Sequence, residues 1–460
     1  MTNRSLNTMV LFIERHREIF VHCCALFFLI AGLGYSYYLG DTLRFRDETQ
    51  YLAIARNIVA GHGYSLDGVT PTAVFPPVWP LLLSLFLGFG APVWLLRSLN
   101  FVALAFCVYV IRSMLRLEKA GEGAPLSAML LIVYCVLFYT AGTLYTQTLF
   151  TLVLLLILRL AISRHFGYGR AMLLGLLLAL EILIHPTGVF VAPVVGIWLL
   201  FSPNRHMLRK VVLCALVALS LVSCWSFRNY LAFGRYIPLT SHGGDTLYIG
   251  NNPTTSLSAW YTYTREDYYK EANRLPESEQ NRYYLRKTLE FWTGQPVAAT
   301  KLYLRKLLYY FAFRNNLLVE NRFGLLRSMV MFVTYYPLLL CLVFRLISAH
   351  RVPLSRTEKL LVAIYIGSAF FHAVFLPRIR FRLPYDVVLI AHIGIMYARF
   401  GPSLFGLPRN GRIPSGSGQA NLSGTLTGDG AGTLSSHGLD KPRSPGLTGT
   451  SSPGALITSS

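Results

Sequence analysis

Apolar runs recur along this chain with Arg and Lys between them, and they limit its fold more than any other feature. They occupy residues 19–39, 93–111, 124–141, 148–162, 171–184, 188–201, 211–225, 326–347, 360–376 and 383–400. A helix needs roughly 20 apolar residues to cross the hydrocarbon core, and lipid satisfies backbone groups only within helices or closed barrels. The expected fold class is an all-α polytopic membrane protein, a bundle of about ten transmembrane helices with loop helices on its outer face. Composition agrees: 53% of residues are hydrophobic and only 14% are charged.

The formal net charge is +21. In a soluble chain that excess would point to nucleic acid. Here the Lys and Arg sit mostly between apolar runs, which fits the positive-inside rule and anionic lipid. Membrane lipids are therefore the expected partners, and nucleic acid is not. The seven cysteines lie in or beside apolar runs and form no CxxC, so they read as lone buried thiols.

A basic leader (Arg4, Arg15, Arg17) precedes the first run, with no A-x-A cleavage site, so that run reads as an uncleaved span leaving the cytoplasm. Tyr35, Tyr37 and Tyr38 mark its far interface. Residues 78–90 are about thirteen, too few to cross, and read as an interfacial or re-entrant helix. The division expected is a cytoplasmic N-terminus (1–18), a transmembrane module (19–226) with an outer loop (40–92), an extracytoplasmic region (227–325), and C-terminal spans (326–400). A Gly-, Ser-, Thr- and Pro-rich tail (401–460) reads as disordered. Within the outer region, residues 266–305 look helical and 301–313 read as a basic, aromatic surface helix. The expected insertion is multi-pass, with the 40–92 loop on the outer side.

The polar interval from Arg44 to Pro80 opens on an acidic pair, Asp47-Glu48. Tyr51, Ile54, Ala55 and Ile58 then fall on one helix face, and Gly61-His62-Gly63 ends the helix. Asp47 with Gln50 three residues on resembles a capping box. The functional reading is a general base at an interface, acting on a hydroxyl or amine. The two readings are compatible, because an ordered cap also fixes a carboxylate in space.

The acidic pair, the run Tyr51…Ala55-Arg56-Asn57…Gly61…Gly63-Tyr64, and Pro71-Thr72…Pro76-Pro77…Pro80 resemble bacterial family-39 membrane glycosyltransferases of the GT-C fold. That group includes protein O-mannosyltransferases and lipid A aminoarabinose transferases. Trp225-Ser226-Phe227-Arg228-Asn229-Tyr230, Phe233-Gly234-Arg235, Gly250-Asn251-Asn252-Pro253 and Arg380-Phe381-Arg382-Leu383-Pro384 are similar to further stretches of that family. The resemblance implies a sugar donor on a polyprenyl phosphate, transfer with inversion to an unknown lipid, glycan or protein acceptor, and Asp47 as the base, with Glu48 supporting it or substituting for it. It also implies a bacterial inner membrane as the location, with the site facing outward.

The departing lipid phosphate needs cations, and Arg380, Arg382 and Arg228, with Arg378, sit at the outer mouth in this topology. Their plainer role is anchoring at lipid headgroups. Tyr51, Gln147 and His185 are candidate substrate-orienting residues. Gln147 stands where the family usually has an acid, and His185-Pro186 stands where relatives often have Arg-Pro, so the charge there is lost or pH-dependent. No metal ligands are assigned and no cofactor is predicted. A divalent cation stays open, although a lone outer acidic pair argues against a metal-centred mechanism. Glu181 and His185 read as a mutually satisfied i, i+4 pair, as do Arg382 and Asp386. His372 and His392 read as core histidines. A transporter or flippase of polyprenyl-linked sugars needs no base, and a catalytically degenerate homologue would accommodate Gln147 and His185. Both readings remain beside the transferase.

Overall fold

Each of the ten apolar runs forms helix, and the polar intervals between them supply shorter helices on one face. The structure, a computed structural model, describes residues 16–202, 206–255, 257, 267–314 and 324–404. The N-terminal leader up to residue 15, parts of the 227–325 region and the tail from residue 405 lie outside the described residues.

In chain order the first helices are α1 (Arg17–Leu39), α2 (Arg46–Val59), α3 (Val78–Gly88) and α4 (Val93–Leu117). Next come α5 (Ala124–Val133), α6 (Cys135–Ala141), α7 (Gln147–Ala161), α8 (Tyr168–Ile184) and α9 (Val191–Leu200). Then follow α10 (Met207–Phe233), α11 (Gly243–Ile249), α12 (Asp267–Asn273), α13 (Glu277–Gly294) and α14 (Pro296–Tyr310). The last three are α15 (Gly324–Ile347), α16 (Arg356–Val374) and α17 (Ile379–Leu404), the last running four residues into the stretch expected as tail.

Among the described residues six helices are long and apolar enough to cross a membrane: α1, α4, α10, α15, α16 and α17. A seventh crossing forms if α5 and α6, bent by 63° at Tyr134, act as one span. The remaining runs give shorter helices. α7 has 15 residues and reaches about 22 Å at 1.5 Å per residue, short of a hydrocarbon core of about 30 Å. An apolar run is thus a weaker statement than a span, because a helix buried within the bundle can be equally apolar. At 11 residues α3 is also too short to cross. It packs Trp79 and Leu83 against Tyr51, Leu52 and Ala55 of α2.

The centre of the bundle is α17, most of whose residues are buried. Leu383, Val387, Leu389, Ile390 and Ile393 meet the apolar faces of α5, α7 and α16. Close approach is needed where α17 passes the turn before α5, since a Cβ on Gly123 would lie 1.9 Å from the Gly394 carbonyl oxygen. Pro337 interrupts α15, where it removes one ladder hydrogen bond.

One end of the bundle closes on Glu358. Its carboxylate is fully buried. It takes Arg345 Nε at 2.7 Å and Arg399 Nη1 at 2.8 Å, and it returns to the backbone N–H of Ser355 at 2.8 Å. His392 lies 3.9 Å away. The Ser355-x-x-Glu358 spacing is a capping box, so one side chain both starts α16 and neutralises two arginines. Glu358→Ala leaves both guanidiniums uncompensated and should cost roughly 3–5 kcal/mol. Thermal unfolding of the purified protein in detergent measures this, and an unchanged melting temperature would contradict the account.

Candidate functional site

The site begins with the division of labour between Asp47 and Glu48. The expected cap at Asp47 sits two residues earlier, because the N-cap of α2 is Phe45. Glu48 is 1% exposed and supplies the capping carboxylate. Its Oε2 accepts from the N–H of Arg44 at 2.9 Å and of Phe45 at 3.0 Å. Its Oε1 accepts from the N–H of Leu144 at 2.9 Å. Both oxygens are occupied by backbone, so Glu48 anchors the helix and does not face the cavity. Asp47, next along the first turn, points the other way.

Asp47 Oδ2 accepts from Arg380 Nη1 at 2.7 Å. The Arg380 guanidinium lies over two rings, 4.9 Å from the Tyr145 centroid and 4.8 Å from that of Phe381. Aromatic faces on both sides restrict a planar cation to one orientation. This pair lies on the wall of a cavity of about 420 Å³, within the range of about 300–1,000 Å³ typical of small-molecule sites. Tyr51, Gln147, His185 and Arg378 line the same cavity. Of the expected site residues, Asp47, Tyr51, Gln147, His185 and Arg380 therefore converge, although 333 positions separate Asp47 from Arg380.

Titration of the wall follows from its packing. Burial, with the Asp47 carboxylate nearby, pushes the Tyr51 hydroxyl up, so it stays protonated. Burial, reinforced by Arg380 and His372, pulls the His185 imidazole down to about 3. His185 is therefore neutral at physiological pH, which removes the pH-dependent charge considered for this position. Its Nδ1 is 2.8 Å from Thr187 Oγ1, and its ring does not pair with Glu181. Both Glu181 oxygens are buried without a partner among the described residues, so the expected i, i+4 pair does not form.

Two expected phosphate ligands lie elsewhere. Arg382 is 1% exposed and spends its guanidinium inside the bundle, on Asp386 Oδ2 at 3.1 Å and the Ala312 carbonyl at 2.7 Å. The expected Arg382–Asp386 pair is present, and Tyr134 donates to the same Asp386 oxygen at 2.6 Å. Arg228 donates to the carbonyls of Thr72 at 2.8 Å and Tyr64 at 3.1 Å and stacks on Tyr64 and Trp225. It holds the 64–73 loop in place and does not line the cavity.

The sequence reading missed the clamps that join the two polar regions. Glu277, at the start of α13, accepts from the Ala73 N–H at 2.8 Å, from Thr72 Oγ1 at 2.9 Å, and from the Ser241 hydroxyl. Beside it His242 Nε2 lies 2.7 Å from Asp245 Oδ2, and both residues line the same cavity as Asp47. Burial opposes charge on His242, but the Asp245 carboxylate outweighs it and raises the imidazole pKa. Lys306 is buried and donates to the Gly250 carbonyl at 2.8 Å and Asn251 Oδ1 at 2.9 Å, and burial pulls it down to about 7. The Gly-Asn-Asn-Pro stretch is thus pinned to α14 and, through Asn251 and the Val374 carbonyl at 2.7 Å, to the end of α16. The only sequence signal at Glu277 was an acidic residue after Pro276, which marks a helix start and nothing more. Among the described residues no group of three His, Cys, Asp or Glu side chains is placed to hold a metal ion.

Fold and site together define an all-α polytopic membrane protein with an arginine–carboxylate pair in a large cavity. No family model and no curated protein matches the chain. Two crystal structures similar to it are of ArnT from Cupriavidus metallidurans, one bound to undecaprenyl phosphate and one apo. Each is 13% identical to this chain, with 82% of this chain and 79% of that chain covered, at TM-scores of 0.40 and 0.35 respectively.

Glu277→Ala should free the 64–73 loop while leaving the bundle intact. Losing hydrogen bonds to a charged acceptor is worth about 1.5–3 kcal/mol. Amide exchange at Ala73 should therefore quicken by about tenfold or more. Unaltered protection there would remove Glu277 as the clamp.

Proposed function

We propose that this protein is a membrane glycosyltransferase that moves a sugar from a polyprenyl-phosphate carrier to a lipid, glycan or protein acceptor on the outer face of a bacterial inner membrane. The observation that carries the proposal is the Asp47–Arg380 pair, 2.7 Å apart on the wall of the cavity. A cation that can hold phosphate oxygens and a carboxylate that can take a proton are the two parts that an in-line sugar transfer requires.

The chemistry is a single displacement. The acceptor oxygen or nitrogen attacks the anomeric carbon from the side opposite the phosphate, and Asp47 takes the proton it loses. The bond from the anomeric carbon to the phosphate oxygen breaks, and its electron pair leaves with the lipid phosphate. Arg380, which also contacts Asp47, stabilises that anion, with Arg378 beside it on the cavity wall. One displacement inverts the configuration at the sugar. Glu48 enters as a positioning residue, through the helix start that it fixes.

The test is sugar transfer by the purified protein in lipid, from a panel of synthetic polyprenyl-phosphate sugars. Asp47→Asn should lower turnover by about 10²–10⁴-fold with donor binding kept, and Arg380→Ala should weaken donor binding itself. Full turnover in Asp47→Asn would overturn the assignment of the base. Tight donor binding with no transfer in any variant would move the reading to a carrier or flippase.

A further inference from the structure

The charges around the cavity bear on which sugar it admits. Among the described residues two carboxylates line it, Asp47 and Asp245; Arg380 lies 2.7 Å from the first and the His242 imidazole 2.7 Å from the second. Arg46 and Arg378 add further positive charge to the wall. A sugar carrying an ammonium group would enter an excess of cations with both carboxylates engaged, and a desolvated charge without a partner is strongly disfavoured.

The wall beside Arg380 is polar but uncharged. Gln147 is 6% exposed, and its Oε1 has no partner among the described residues. His372 is 2% exposed. Its Nδ1 is 2.8 Å from the Ser368 carbonyl oxygen, so Nδ1 carries the hydrogen and Nε2 is an acceptor, again with no partner among the described residues. His185 has the opposite tautomer. Its Nδ1 accepts from the Thr187 N–H at 3.4 Å, so the hydrogen sits on Nε2. The Phe381 ring lies between the two imidazoles, 5.3 Å from His185 and 6.4 Å from His372, stacked on the latter. Neutral acceptors and a neutral donor beside an aromatic face suit hydroxyl groups and the apolar face of a sugar ring.

We propose that Gln147, His372 and His185 form a hydroxyl-reading wall and that the transferred sugar is a hydroxylated one without an amino substituent. The inference rests on the transferase reading above. Gln147 is its specificity-determining residue, since an acid at the same place would supply the counter-charge that an amino sugar needs.

The experiment measures binding of three polyprenyl phosphates to the unaltered protein in lipid nanodiscs: one bearing a neutral hexose, one an aminohexose, and one no sugar. The neutral hexose should bind about tenfold or more tighter than the other two. Equal or tighter binding of the amino analogue overturns the inference and leaves the transferase reading standing. If no sugar-bearing lipid binds better than the bare phosphate, the transferase reading fails and the inference with it. Gln147→Glu, in the same panel, should move the preference towards the aminohexose by about tenfold. An unmoved preference in a folded variant would remove Gln147 from the wall.

Discussion

A single buried carboxylate decides where the active cavity can exist. Glu48 gathers three backbone N–H groups from two segments, Arg44 and Phe45 before α2 and Leu144 before α7. The same 143–145 segment receives Trp79 Nε1 through the Leu144 carbonyl at 2.7 Å and Asn100 Nδ2 through the Thr143 carbonyl at 2.8 Å. Three helices of the first half therefore meet on one strip of backbone, and the register of α2 follows. Asp47 is placed by that register. Tyr145, the ring beneath Arg380, lies in the strip itself, so the carboxylate and the platform of its partner are set by one knot of hydrogen bonds.

The two arginines at the start of α17 show how little sequence separates a structural charge from a site charge. Successive helical residues turn by about 100°, so residues two apart face nearly opposite sides. Arg380 faces the cavity and Asp47. Arg382 faces the bundle, where Asp386 and the ends of α14 and α5 consume it. Both are needed, since the inward ion pair fixes the rotation of the helix that delivers the outward one.

The apolar runs made the helical bundle legible, because hydrophobic length is a local property. The start of the amphipathic helix that carries Asp47 was legible too, from the acidic pair and the apolar face behind it. What could not be read was which polar residues meet. Arg228 and Arg380 both follow the edge of an apolar run, and only the fold separates the one that clamps a loop from the one that lines a cavity. Glu277 joins Thr72 across 205 positions, and His242 comes to line the cavity of Asp47 from a different loop. Contacts of that range depend on the packing of the whole bundle and leave no periodicity behind. The counting of spans suffered for a related reason: α7 and α9 are as apolar as true spans because the bundle, as well as the lipid, surrounds them.

The Asp47–Arg380 contact has one more consequence. The guanidinium already holds a carboxylate, so any anion that takes Arg380 does so in competition with Asp47. While that pair holds, each group's charge is offset by the other. Under the proposed transfer chemistry, a phosphate that captured the arginine would release the carboxylate in the same movement, so that donor binding would itself ready the base.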